Sequence, residues 1–147
     1  MVKKIFVVVA VLGLFSFAPF FEGPFLTWSK LENIEFVEKY VKDVEGYMLF
    51  PKFPDDIKKL GGKPVVIEGY VVPVDKTGAT VALSANPYAA CFFCGKAGPA
   101  SVMTIKLKTK NPKYKIDDYI KFTGILRLND DDVKEFYYIL EQAVETK

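Results

Sequence analysis

Apolar and polar residues change their period along this chain, and the changes mark its elements. After an uncharged N-terminal run, Trp28–Leu31 predicts a short turn or helical stretch. Ile34–Val44 carries two patterns. Ile34 and Phe36 alternate with Glu35 as in a strand, whereas Val37, Tyr40, Val41 and Val44 fit one helical face. Tyr47–Phe50 is apolar and extended, and Pro51 and Pro54 bound its end. Pro54–Gly62 has acids in its first turn, lysines in its last and glycine beyond, the signature of a short helix.

From Lys63 onward the period is that of strands. Val65–Val74 is a long β-branched run broken by Gly69, and a glycine inside a strand marks a bulge or bend. Asp75–Gly78 is a turn, and Thr80–Ser84 a second strand. Val102–Lys108 alternates most cleanly, with Met103, Ile105 and Leu107 against Thr104, Lys106 and Lys108. Tyr119–Leu128 is the fourth strand, with Gly124 inside it. Asn129–Asp132 is a turn, and Phe136–Ala143 the last strand. Five strands with glycines at the bends of the first and fourth predict a mainly β fold. It is a five-stranded OB-like barrel over residues 63–147, with residues 26–62 as an N-terminal extension carrying a minor helix. The inter-strand helix usual in that fold would fall in Asn111–Asp118, which is short and holds Pro112 and Tyr114.

Composition narrows the chemistry. Histidine is absent from the 147 residues, which removes His-dependent nucleophilic triads, His-ligated zinc and His-ligated haem. Net charge is +2 and Arg127 is the sole arginine. Such a domain is a poor nucleic-acid binder, because phosphate neutralisation supplies most of that affinity. Residues 1–25 hold Lys3 and Lys4, then an uncharged apolar stretch, with small residues Ser16 and Ala18 at signal-peptidase spacing. They read as a signal peptide or, given Pro19 and a run approaching the ~20 residues that span a bilayer, an uncleaved anchor. Either reading places the body in the periplasm or beyond, where disulfides persist.

Cys91 and Cys94 form the one motif with chemical content, Cys91-Phe92-Phe93-Cys94-Gly95, with Gly98 and Pro99 close behind. Gly95 frees the loop for left-handed backbone. Three chemistries are open. Two thiolates suit zinc, copper(I) or iron, but zinc wants four ligands, so others must join, Asp130–Asp132 being candidates. A redox dithiol is the second, although Gly95, Gly98 and Pro99 disfavour the helix that usually activates one. The third is an inert disulfide that fixes the shape of the loop. One of Phe92 and Phe93 would plug the barrel end, the other lying on the loop. We read the chain as a non-catalytic binding module with a metal ion on Cys91 and Cys94. The alternatives are a thiol–disulfide exchanger, with Cys91 the likelier nucleophile, and a structural module with an inert disulfide.

Weaker candidates have ordinary explanations. Asp130–Asp132 lacks the alternating spacing of a calcium loop. Phe136, Tyr137 and Tyr138 could stack on bases but also fit barrel packing. Glu68 and Glu141 could converge as an acid/base pair, or simply pair with Lys63 or Lys121. Lys106, Lys108 and Lys110 read as a solvent-facing edge.

Leu60–Pro73, Leu83–Pro87, Cys91–Pro99 and Leu126–Asn129 together resemble a family of small exported bacterial proteins of unknown function, of Bacteroidetes type. The likeness runs from about Trp28 to Glu145, and its most specific part is Cys91–Pro99. It implies an OB-like barrel at a periplasmic or membrane-facing location. It also implies association with metal uptake and permease-type transporters, so that a membrane transporter or other envelope protein is the expected partner. Two departures stand out: Ala100 occupies a position where the family implies an acid, and no cysteine near the start offers a lipidation site.

Overall fold

The computed structural model describes residues 23–88 and 98–146. The proposed export segment through residue 22, and Cys91, Phe92, Phe93, Cys94 and Gly95, therefore lie outside the described residues.

The elements follow the alternation closely. A short helix α1 (Trp28–Glu32) leads into β1 (Glu35–Val41) and β2 (Gly46–Lys52), which pair antiparallel as a separate ribbon. Of the ambiguous Ile34–Val44 stretch, Glu35–Val41 is strand and Lys42–Val44 a single 3₁₀ turn, so the strand reading prevails over the helical one up to Val41. It does so because Phe36 and Val37 face Pro51 and Phe50 across the ribbon, giving the alternating positions a partner. A one-turn helix α2 (Asp55–Lys58) precedes the barrel strands. These are β3 (Pro64–Pro73), β4 (Thr80–Ser84), β5 (Val102–Leu107), β6 (Tyr119–Leu128) and β7 (Tyr138–Thr146).

They close in the order β3-β4-β5-β7-β6, with β3 also pairing β6 and with β5 parallel to β7. This is the OB-like barrel, and it is mainly β. Residues 108–118, between β5 and β6, form turns and no helix.

The strand glycines serve two purposes. At Gly124, a Cβ would sit 2.7 Å from the Glu141 carbonyl oxygen and 2.8 Å from the Leu140 side chain, so β7 can approach only glycine there. The register between β6 and β7 shifts at this point, as the sequence predicts. At Gly69 the register with β6 is unbroken. Here a Cβ would meet the Ser84 carbonyl at 2.6 Å and the Trp28 indole nitrogen at 3.2 Å. Gly69 therefore answers a close approach rather than a bulge. The bulge itself lies on β7, where Gln142 has φ 52 and an extra residue opposes both β5 and β6. It carries the last strand beyond Ala143 to Thr146, and the strand starts at Tyr138 rather than Phe136.

The core fills the barrel and extends beneath the N-terminal residues. Val65, Ile67, Val71, Leu83, Met103, Ile105, Phe122, Leu126 and Leu140 point inward and are buried. Leu26, Leu31, Phe53 and Ile57 join the same cluster, so residues 26–62 seal one end of the barrel. Tyr138 is fully buried and donates its hydroxyl to the Leu31 carbonyl at 2.8 Å. Burial pushes that phenol's pKa well up. Pro24–Leu26 pair with Val66, covering the stretch of β3 that β4 does not reach.

Candidate functional site

The strands β3, β4 and β5 are unusual on their outer side. Register places Val72, Ala82 and Thr104 in one row, and Tyr70, Ser84 and Val102 in the next. A solvent-facing barrel surface would be polar at these alternate positions. Here Val72, Ala82 and Val102 are apolar, and Ala82 is 6 % exposed although it points outward. Something other than the barrel interior covers it.

Among the described residues, the β6–β7 loop and the base of the cysteine loop lie over it. An apolar hollow of about 310 Å³ is bounded by Val72, Val74, Ala82, Val102, Pro99 and Phe136, with Tyr88, Gly98 and two buried serines at its rim. A second hollow of about 400 Å³ continues along β4 and β5, past Thr80, Thr104 and Lys106, to Lys134 and Glu135. Phe136 borders both. A third, of about 170 Å³, lies on the other side of Pro99 and Phe136, among Leu49, Phe50, Asp131 and Asp132.

Hydrogen bonds hold both ends of the cysteine loop on the barrel. The Tyr88 N–H donates to Asp117 Oδ1 at 2.7 Å, from a residue with φ 68 in the β5–β6 connection. On the far side, Ser101 donates to the Gly98 carbonyl through its hydroxyl at 2.7 Å and its N–H at 2.9 Å. The Ala85 N–H donates to the Ser101 carbonyl at 2.9 Å and closes the base. Ser84 and Ser101 are both buried. Ala100 is 3 % exposed and packs in the core.

The β6–β7 loop is built on Asn129, a buried side chain that the sequence reading left inside an unremarkable turn. Its Nδ2 donates to the carbonyls of Asp132, Glu135 and Phe136 at 2.7, 3.1 and 3.2 Å. Its Oδ1 accepts the Asp132 N–H at 3.0 Å. Asparagine is suited to this because one side chain both donates and accepts. The three aspartates 130–132 are exposed, as a solvated turn should be.

Charge pairing fixes the loop's far end. Lys106 Nζ donates to Glu135 Oε1 at 2.7 Å, Arg127 Nη2 donates to Glu135 Oε2, and Arg127 Nε donates to Glu141 Oε1 at 2.8 Å. Hydrogen bonds from Lys106 and Arg127 hold the Glu135 carboxyl below its ordinary range. At the β3–β4 turn, the Thr77 hydroxyl and nearby N–H groups lower Asp75 in the same way.

Several sequence candidates separate. Glu68 lies 4.0 Å from Lys121, while Glu141 pairs with Arg127. Their partners on β6 are Lys121 and Ile125, about 13 Å apart along the strand. The two carboxylates form no acid/base pair. Lys106 is committed to Glu135, whereas Lys108 and Lys110 are exposed. The aromatic triplet divides as well: Tyr138 is core, Tyr137 packs on Phe36, donates to the Leu49 carbonyl and borders the third hollow, and Phe136 borders all three. Outward apolar positions in Val71-Val72 and Val81-Ala82-Leu83 were the available signal for the hollow.

These features define a small closed barrel of OB type with a partly covered outer face and a cysteine loop rooted beside it. Comparison of the sequence with family models and with curated proteins finds no match. Among solved structures, the chain is similar to a DUF3299 family protein from Pseudomonas aeruginosa PAO1. The two are 13% identical over 84% of this chain and 95% of that one, with a TM-score of 0.54, a likeness of fold.

Proposed function

We propose that this chain is an exported, non-catalytic binding module that holds a zinc, copper or iron ion on the thiolates of Cys91 and Cys94. Its partner in this reading is a membrane transporter or another envelope protein. The observation that carries it is the anchored base of the cysteine loop. Tyr88 is hydrogen-bonded to Asp117 in the β5–β6 connection and Gly98 to Ser101 just before β5, and Pro99 borders the same hollow as Asp131 and Asp132. Two soft thiolates leave coordination positions to be filled. The carboxylates of Asp131 and Asp132 have the right chemistry and are exposed. Among the described residues, no three Asp, Glu, Cys or His side chains cluster to hold a metal.

The test is intact mass spectrometry of the protein expressed with its own N-terminal segment, under native and then denaturing conditions. The expected result is a native mass heavier by one metal ion, both thiols reduced, and loss of the ion in C91S/C94S. A denatured mass lacking residues 1–18 would support export by a cleaved signal. A metal-free protein two hydrogens light would overturn the metal reading. Rapid reduction of its disulfide by a dithiol would then make the chain an exchanger, and slow reduction would make it a structural module.

A further inference from the structure

We propose that the outer edge of β1 is a self-association site, on which the β1 of a second copy of this chain lies antiparallel about a two-fold axis at Val37. The proposal is independent of any metal on the cysteines. It starts from the ribbon. β1 and β2 form a two-stranded sheet of their own, so each has one edge outside the ladder. Pro51 has no N–H to give to β1, and the Leu49 carbonyl accepts the Tyr137 hydroxyl. Leu49 and Pro51 therefore occupy the non-hydrogen-bonded pairs of the ladder, opposite Glu38 and Phe36. By the same alternation, the backbone groups of Phe36, Glu38 and Tyr40 turn away from β2. Among the described residues, no strand or loop pairs with them. The side chains along this edge are open as well: Val37 is 39 % exposed and Tyr40 56 %, and Glu35, Glu38 and Lys39 are exposed.

Charge chooses the occupant. A row of unpaired N–H and C=O groups can template an added strand, and charged side chains on it ordinarily turn partners away. Here Glu35, Glu38 and Lys39 stand at spacings that a second β1 matches. Two antiparallel copies must set outward-turned residues against outward-turned residues, so the two-fold axis passes through a residue. On Glu38 it would oppose Glu38 to itself, and on Lys39 it would oppose Lys39 to itself. On Phe36 it would leave Glu35 and Lys39 without opposite charges. On Val37 it sets Val37 against the partner's Val37, and Glu35 against the partner's Lys39 twice over. The ladder then continues across both ribbons. One row runs Phe50, Val37, the partner's Val37 and the partner's Phe50, and the next runs Lys52, Glu35 and the partner's Lys39, alternating in sign. On the opposite face Tyr40, edge-on to Tyr47, meets the partner's Ile34. Apolar β-branched and opposite-charge cross-strand pairs are the favourable ones. Association stops at two, because the remaining edge, on β2, carries Pro51 and the Tyr137 contact.

The experiment is sedimentation velocity of the full chain under reducing conditions, over a concentration series that follows the dimer. Glu35→Lys and Lys39→Glu each turn both opposite-charge pairs into like-charge pairs. Each variant alone is expected to dimerise about tenfold more weakly than the parent. Mixed in equal amounts, the two regain opposite charges in both pairs, and the mixture should dimerise like the parent. Glu38→Pro removes an outward N–H without touching the bonds to β2, and should abolish the dimer. Thermal melts confirm that each variant folds. Should Glu38→Pro fail to fold, the charge variants decide, because both side chains are exposed. A parent chain that stays monomeric throughout the series would overturn the proposal. So would a mixture that dimerises no better than its components, or a dimer unmoved by either charge reversal, which would place the contact elsewhere, as on the apolar N-terminal segment.

Discussion

The two sides of β3, β4 and β5 carry much the same residue types under different conditions. Inside lie Val71, Val81, Leu83, Met103 and Ile105, all at most 1 % exposed. Outside lie Val72, Ala82 and Val102, of which Ala82 is buried and the other two are half-buried. Barrel closure seals the first set on every side. Among the described residues the second is covered by loops, and Asn129, Ser101, Asp117 and Glu135 tie those loops down with hydrogen bonds. The lesson is that apolar content alone does not distinguish a core from a partly covered outer face. What distinguishes them is whether the covering element is a continuous sheet or a polar-stapled loop.

Perturbing the sealed side should have the largest effect. Leu83→Ala is expected to destabilise the fold by about 2–5 kcal/mol, because it opens a cavity among residues that cannot collapse. Urea denaturation should show a lowered midpoint with little change in slope. A loss below about 1 kcal/mol would mean that the inner side is no better packed than the outer.

Asn129→Ala comes next, at about 1–3 kcal/mol, since it leaves part-buried loop carbonyls and N–H groups without the partners that organise the loop. Its sharper signature is local. Amide hydrogen exchange over residues 130–137 should rise more than exchange in β4 or β5. Uniform acceleration would show that the loop and barrel open together.

Tyr138→Phe should cost about 0.5–1.5 kcal/mol by depriving the Leu31 carbonyl of its donor. It should also loosen the N-terminal residues relative to the barrel, which limited proteolysis between α1 and β1 can read.

The smallest expected effect is electrostatic. The Glu135 carboxyl is held below its ordinary 4.5 by Lys106 and Arg127. A lowered folded-state pKa contributes stability that is fully present above 4.5 and fades as pH falls through the depressed value. Glu135→Gln should therefore flatten the acid limb of a melting-temperature profile by less than about 1 kcal/mol, the group being partly exposed. An unchanged acid limb would show that the ion-pair chain orders the loop without stabilising the protein.

Legibility in the sequence followed the same division. The strands were readable where one side is polar: Val102–Lys108 alternates, and β5 spans Val102–Leu107. β4 matches its predicted Thr80–Ser84 because Asp75–Gly78 is a turn with its own chemistry, Asp75 accepting N–H bonds from Thr77 and Thr80. The last strand was displaced because the bulge at Gln142 breaks alternation in a segment buried on both sides at Tyr138–Leu140. Glu68 with Lys121 was visible as an ordinary pair, while Asn129 was hidden in a polar turn whose burial depends on the loop it organises.

By itself the sequence determined the barrel strands β3 to β6, their turns, the bend at Gly124 and the cysteine motif. Each of these depends on residues close together in the chain, where side-chain period and backbone freedom act directly. Tertiary structure alone decided the parallel pairing of β5 with β7, the glycine requirement at Gly69 and the covering of Ala82. It also joined the base of the cysteine loop to Asp117 and placed Pro99 beside Asp131 and Asp132. Those features bring together groups far apart in sequence, and barrel closure sets their distances.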